Sequence, residues 1–327
     1  MSRIIIGIHG LANKPPRRLL ESWWRKSIRE GLNRIGVRHR FFRFELVYWA
    51  DILHPLPQDP AIRNPEHPRY LSDPYQPDKG IRPLFFKTGI QKKLVDLFGS
   101  RMEKLLVTEE LRPKMPGIQE LVIRRYFKDL DAYFGNRKSP LVSGRTAKER
   151  IMERLSTRLK KHRKKKILLI AHSMGSIISY DVLMDGPGDI QVDRLVTIGS
   201  PLGQPAILSK IVAANGKARP AGKKLKTPEG IREAWYNLSD LNDKVAIHFE
   251  LAEHFTENAH QVMPEDRIVR NEYLVRGKKS PHKIYGYLRT PEMASLINDY
   301  LGAPLPSRWA TRISGLLKSR FHGRVKG

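Results

Sequence analysis

The sequence predicts an α/β protein with a mostly parallel central sheet. Three observations point there. Short apolar runs, such as Ile4-Ile5-Ile6 and Ile167-Leu168-Leu169-Ile170-Ala171, have the length of buried strands. They alternate with segments whose apolar residues recur at helical spacing, as Leu19, Leu20, Trp23, Trp24, Ile28 and Leu32 do. Two of the runs end in glycine, at Gly10 and Gly199, where a strand gives way to a turn.

Taken in order, Arg3 to Gly10 reads as a buried strand, and Asn13-Lys14-Pro15-Pro16 breaks the chain before a helix over 17–31. Phe41 to Ala50, rich in aromatic and β-branched residues, reads as a second strand. The character changes between 52 and 143. A proline-rich stretch runs from His54 to Pro83, with little in Asn64 to Gly80 to build a core, and helical patterns follow near 90–106 and 117–134. This block reads as an insertion that covers the sheet's C-terminal edge, with a mobile first half. A basic amphipathic helix is expected over 146–162, then the strand Ile167–Ala171, a helix through Met184 and a strand from Arg194 to Gly199. Ala206 to Ile231 reads as loop-rich. Ala234–Leu238 and Ile268–Val275 read as strands, residues 245–262 as a helix or its loop, and Thr290–Leu301 as a closing helix. The expected organisation is one domain over 1–304 and a tail over 305–327.

The chain has 327 residues, enough for a sizeable core, and no apolar run approaches the roughly 20 residues of a spanning helix. It contains no cysteine, which excludes disulfides, thiol catalysis and Cys-type zinc or iron–sulfur sites. The net charge is +27. Such a balance favours acidic partners, although it equally serves solubility. Its densest run, Lys160 to Lys166, precedes the strand that leads to the site, so it belongs to the opposite edge of the sheet. Nucleic acid is therefore not the favoured partner. In the tail, Trp309, Ile313, Leu316, Leu317 and Phe321 share one helical face among six Lys or Arg residues and no acidic ones, which suits an anionic membrane surface. No signal-peptide pattern is present, so the expected address is cytoplasmic, peripheral at a membrane if the tail binds one.

The chemistry centres on Ala171-His172-Ser173-Met174-Gly175. An apolar strand runs into this segment and a helix leaves it, the context of a nucleophile elbow. Strand and helix nearly touch there, so small residues are needed two positions either side of Ser173; Ala171 and Gly175 supply them. The serine hydroxyl then stands above the sheet, facing the free N–H groups of a helix N-terminus. Acyl chemistry also needs two oxyanion donors. The backbone N–H groups of Met174, after the nucleophile, and of Leu11, after His9-Gly10, are the candidates.

The order strand–His9-Gly10-Leu11, helix, strand, strand–His172-Ser173-Met174-Gly175, helix, strand–Gly199-Ser200-Pro201 resembles the α/β-hydrolase superfamily. Ala171 to Gly175 is similar to the elbow of small bacterial lipases, and Gly199-Ser200-Pro201-Leu202 to a strand end of lipase-like serine esterases. The resemblance covers about residues 3–50 and 144–302. It implies an α/β-hydrolase fold with a cap over 52–143 and a chain order of nucleophile, acid, histidine. The acid falls in Asn237 to Val245, where Asp243 is favoured over Asp240 because the aspartate before an x-Val pair orients the histidine in similar lipase segments. Of the later histidines, His248, His254 and His260 are spaced six apart and share no helical face, which argues against a metal site; His282, between the last strand and the closing helix, takes the base's position, with His260 next.

The resemblance thus implies a serine esterase or lipase working through Ser173, His282 and Asp243 on a small-molecule or lipid acyl ester. It needs no metal or organic cofactor. The same residues serve an acyltransferase, thioesterase or amidase equally, and a catalytically inactive scaffold that binds an anionic partner is the further alternative.

Overall fold

The computed structural model describes residues 2–37, 39, 41–78, 128–135, 144–185, 190–214 and 224–302. In chain order the elements are β1 (Arg3–Ile8), α1 (Arg17–Arg34), β2 (Phe44–Val47), α2 (Ala50–Leu53), α3 (Ala147–Lys161), β3 (Lys166–His172), α4 (Met174–Asp185), β4 (Val192–Ile198), α5 (Pro205–Ala214) and β5 (Leu225–Lys226). There follow β6 (Ile231–Ser239), a 3₁₀ turn (Leu251–Glu253), β7 (Phe255–Thr256), β8 (Pro264–Ile268), the hairpin β9 (Leu274–Val275) and β10 (Lys278–Lys279), α6 (Ile284–Tyr287) and α7 (Pro291–Leu301). Residues 128–134 are also helical.

Six strands form one sheet in the order β2-β1-β3-β4-β6-β8, and every neighbouring pair is parallel. Successive side chains of a strand face opposite ways. Ile4, Ile6 and Ile8 of β1 accordingly enter one core and Ile5 the other; Ile167, Leu169 and Ala171 of β3 are likewise separated from Leu168 and Ile170. Helices α3, α4 and α5 cover the first face, and α1, α6 and α7 the second. With both faces covered, the central strands lose any polar face, which is why they read as unbroken apolar runs.

The chain moves from β1 outward to β2, then crosses back past β1 to β3. The strand order thus reverses between β1 and β3, and the carboxyl ends of those two strands border the crevice in which open α/β sheets bind ligands. Both Leu11 and Ser173 follow these ends. The basic run lies at the far side: Lys166 begins β3, and seven residues at about 3.3 Å each put it about 23 Å from Ser173.

Several elements differ from expectation. The aromatic run 41–50 yields only four strand residues. Its first side chain, Phe41, is exposed, and at its end the Trp49 amide and indole N–H both donate to His9, which turns the chain out of the sheet into α2. The region after Ala206 contains a helix, α5, which starts on Pro205 and buries Ile207, Leu208 and Ile211. The strand expected over 268–275 lies at 264–268. Beyond it, Asn271 gives its amide to the Asp240 carboxylate and leaves the ladder. Residues 245–262, expected as a helix or its loop, form no α-helix and hold turns, one 3₁₀ turn and the short strand β7.

Within 52–143, residues 52–78 and 128–135 are described; the expected helix at 90–106 and most of that at 117–134 lie outside the described residues, as does the tail from 303. The stretch read as poor in core residues packs on the second face nonetheless. Leu71 is buried, and Tyr75 lies between Trp23 and Tyr285, with ring centres 6.0 and 5.2 Å away. Among the described residues, no helix is long and apolar enough to cross a membrane.

Helix α1 rests on the turn after α6 through Gly31. A methyl group at Gly31 would run into the Leu288 carbonyl oxygen and lie 3.1 Å from Arg289 Cα. Alanine is the better helix former by about 1 kcal/mol, but overpacking against rigid backbone costs about 1–3 kcal/mol. Gly31→Ala should therefore destabilise the protein on balance, read as a lower thermal midpoint. A midpoint raised by the substitution would mean that α1 does not pack this closely.

Candidate active site

Ser173 sits between β3 and α4 with φ +54°, a left-handed conformation that a non-glycine residue adopts at a cost of about 1–2 kcal/mol. Its N–H still bonds the Ile198 carbonyl at 3.0 Å, so the turn begins while the residue is tied to the sheet. Two glycines make room. A methyl group at Gly10 would lie 2.7 Å from Ser173 Cβ, and one at Gly175 would lie 2.7 Å from the Ile8 carbonyl oxygen and 3.0 Å from that of His9. Any side chain at either position would push β1 away from the elbow. Ser176 fastens the next turn, its hydroxyl donating to the Ser173 carbonyl at 2.5 Å.

The other two expected residues converge on this serine. His282 Nε2 stands 3.1 Å from Ser173 Oγ, and its Nδ1 is 2.9 Å from each carboxylate oxygen of Asp243. Asp243 is wholly buried. It accepts further hydrogen bonds from the Val245 amide at 3.0 Å and the Tyr287 hydroxyl at 2.7 Å. Burial alone would push its carboxyl up, but the His282 charge and these hydrogen bonds prevail and hold it below the ordinary carboxylate value. Gly199, with φ +54°, leaves space for the pair: a methyl group there would lie 2.8 Å from Asp243 Oδ2 and 3.1 Å from His282 Nδ1.

Asp240 and His260, the alternatives for acid and base, are placed elsewhere. Asp240 caps the neighbouring loop, accepting the amides of Asn271 at 2.6 Å and Asn242 at 2.7 Å. Burial raises its carboxyl in spite of them. His260 lies beside Arg232 at the start of β6, at 2.8 Å, whereas Asp243 follows the other end of that strand.

Several residues that sequence reasoning passed over hold the site in place. Asn271 donates from its side-chain amide to the carbonyls of Pro281 and Lys283, each at 2.7 Å, and His172 Nε2 donates to the carbonyl of His282 at 2.8 Å. Three consecutive carbonyls around His282 are thus gripped by side chains from the end of β3 and from the segment between β8 and β9. Tyr287 joins the two aspartates, donating to Asp243 and accepting the Asp240 amide at 3.0 Å. Residues 10 to 110 positions apart make these contacts, so no local pattern announces them.

Leu11 and Met174 flank the serine, Leu11 after the end of β1 and Met174 in the first turn of α4, where amides lack helical partners. His9 orders the first of these. Trp49 donates its amide to His9 Nε2 at 3.0 Å, which leaves Nδ1 to carry the proton and donate to the Gly10 carbonyl at 2.7 Å. A trans peptide points its C=O and N–H in opposite directions. Fixing the Gly10 carbonyl therefore aims the Leu11 N–H.

Among the described residues, no group of three His, Cys, Asp or Glu side chains is arranged to hold a metal ion. No protein-family model matches the chain, and no curated protein sequence does either.

Burial, and secondarily His282, hold His172 neutral well below its ordinary value of 6.5. The unfolded chain takes up this proton near 6.5 and the folded chain at lower pH, so the contribution is complete above 6.5 and is lost as pH falls below it. His172→Gln keeps a side-chain amide donor and removes the proton. Between about pH 7.5 and 5.5 its unfolding free energy should fall less steeply than that of the unaltered protein, by up to about 1.4 kcal/mol per pH unit. Parallel slopes in denaturant titrations would show that His172 is not held neutral.

Proposed function

We propose that this protein is a serine hydrolase of the α/β-hydrolase class that cleaves carboxylic esters. The observation that carries the reading is the unbroken sequence of contacts from the buried Asp243 carboxylate through His282 to the Ser173 hydroxyl, at 2.9 and 3.1 Å, on a serine in a left-handed turn at the switch point of the sheet. This geometry suits general-base activation of an alcohol nucleophile.

In the proposed reaction His282 Nε2 takes the Ser173 proton as Oγ attacks the acyl carbonyl. Asp243 holds the Nδ1–H tautomer and stabilises the imidazolium that forms. The Leu11 and Met174 amides stabilise the tetrahedral oxyanion, each worth on the order of 3 kcal/mol. His282 returns the proton to the leaving alcohol. Water, activated by His282 in turn, then attacks the acyl-enzyme and releases the acid and Ser173. The substrate class is a small-molecule or lipid acyl ester. The contact chain also favours an active enzyme over a scaffold that only binds, because a bystander serine gains nothing from a strained turn and a buried carboxylate two contacts away.

Hydrolysis of a p-nitrophenyl ester tests the reading. Ser173→Ala should lower kcat by about 10⁶ with the fold preserved. Turnover unchanged in a folded Ser173→Ala protein would remove the serine from the reaction.

The two aspartates separate in the same assay. Asp243→Asn leaves the imidazole without its orienting carboxylate and should cost about 10⁴ in kcat. Asp240→Asn acts on the histidine loop only through Asn271 and should cost far less. The opposite ranking would move the acid to Asp240.

A further inference from the structure

The loop after β1 carries a second set of constraints, beyond His9. The Leu11–Ala12 peptide is gripped at both ends. Lys14 Nζ donates to its carbonyl, that of Leu11, and also to the Ala12 carbonyl at 3.1 Å. At the other end, the Ala12 N–H donates to Asp129 Oδ2 at 2.7 Å. Ala12 is itself left-handed, with φ +67°, so the loop is held in a conformation that alanine does not favour. Asp129 is buried, and its second oxygen lies 3.1 Å from His54 Nε2. It belongs to the helical residues 128–134 of the long insertion, more than a hundred positions from the loop it binds.

Leu11 therefore lies between two fixed peptide planes. The plane before it is set by His9 through the Gly10 carbonyl, and the plane after it by Lys14 and Asp129. Were the second plane free to turn, Ala12 would relax from its left-handed conformation, and because Leu11 joins the two planes, the Gly10–Leu11 peptide that carries the Leu11 N–H would then be held by His9 without support from the other side. The ammonium is held by carbonyl oxygens, with the carboxylates of Asp129 and Asp73 acting from a distance. Burial and the nearby Lys283 push Lys14 down to about 7 against their attraction. At that value the amine is partly neutral near neutral pH, and in either form it donates to the Leu11 and Ala12 carbonyls.

We propose that Lys14 and Asp129 are positioning residues that clamp the Leu11–Ala12 peptide and so aim the Leu11 oxyanion donor, and that through Asp129 the 128–134 segment of the insertion governs the reactivity of Ser173. The inference rests on the esterase reading above and adds to it a control of the site by the insertion. Neither residue touches the reacting atoms. Their effect falls on the rate of bond formation at Ser173 and not on the binding of an acyl or phosphonyl compound.

The test is the labelling kinetics of the full chain with an alkyl fluorophosphonate. The probe forms a tetrahedral phosphonyl centre on the serine oxygen, loses fluoride, and needs no knowledge of the natural substrate. Maximal labelling rate and half-saturating concentration are measured separately for the unaltered protein, Asp129→Ala, Asp129→Asn, Lys14→Met and Lys14→Arg. Circular dichroism and thermal midpoints of the same samples report the fold. Asp129→Ala and Lys14→Met should label about 10- to 100-fold more slowly, short of the 10²–10³ for deleting an oxyanion donor outright, with the half-saturating concentration within twofold. Asp129→Asn, which keeps an acceptor for Ala12, and Lys14→Arg, which keeps a cation, should each recover most of the rate. Unchanged maximal rates in folded Asp129→Ala and Lys14→Met would overturn the clamp, as would losses confined to the half-saturating concentration, while leaving the esterase reading intact. Failure of the unaltered protein to label at all would remove the esterase reading, and the clamp with it.

Discussion

The site is organised around a single backbone constraint, the left-handed turn at Ser173. A residue with a side chain avoids this conformation, and here it is imposed where β3 must reverse into α4 within one residue. The strain is tolerable because the surroundings fix it from every side. The Ser173 amide is tied to β4, its carbonyl to Ser176, and the absence of side chains at Gly10 and Gly175 lets β1 close over the turn. A relaxed serine would point its hydroxyl along the sheet. The strained one aims it out of the sheet's carboxyl edge at the imidazole of His282, while the N-terminal amides of α4 face the same space. Roughly 1–2 kcal/mol of backbone strain thus positions two chemical components at once.

The second feature is how little freedom the remaining groups have. Asp243 is buried with hydrogen bonds to a backbone amide, a tyrosine and the imidazole, which keeps it ionised in a place where burial favours the neutral acid. The loop carrying His282 contributes little core of its own, and its geometry comes from Asn271 and His172 holding three successive carbonyls. The loop carrying Leu11 is held in the same manner by His9, Lys14 and Asp129. Both loops are irregular, and both are held by side-chain hydrogen bonds, from His172 at the end of β3 and Asn271 beyond β8 for one, and from His9, Lys14 and the helical Asp129 for the other. Preorganisation of this kind is what electrostatic catalysis requires, since donors already in place need no reorganisation as charge develops.

Much of this arrangement was legible in the sequence, for identifiable reasons. The central strands declare themselves because burial on both faces demands unbroken apolar runs, and the elbow does so because its close packing demands small residues around Ser173. Asp243 and His282 were legible by chain order, and the structure brings both to the serine. Less legible were features set by long-range contacts. The shortening of the 41–50 run follows from Trp49 meeting His9, and the position of β8 from Asn271 meeting Asp240. Helix α5 was obscured because its neighbours are basic and loop-like, although Pro205 and three buried aliphatic residues mark it. Asn271, Tyr287 and Asp129 carry no motif at all. Each is an ordinary polar residue whose role exists only once the sheet has brought distant segments together.

The central claim is that Ser173 is an activated nucleophile and not a strained structural turn. The most direct measurement is peptide mapping by mass spectrometry after the intact protein has reacted with a fluorophosphonate at limiting excess. The account predicts one adduct per chain, carried by the peptide that contains Ser173, and its disappearance when the protein is unfolded before the reagent is added. Adducts scattered over other hydroxyl side chains, or equal modification of the folded and unfolded chain, would contradict it.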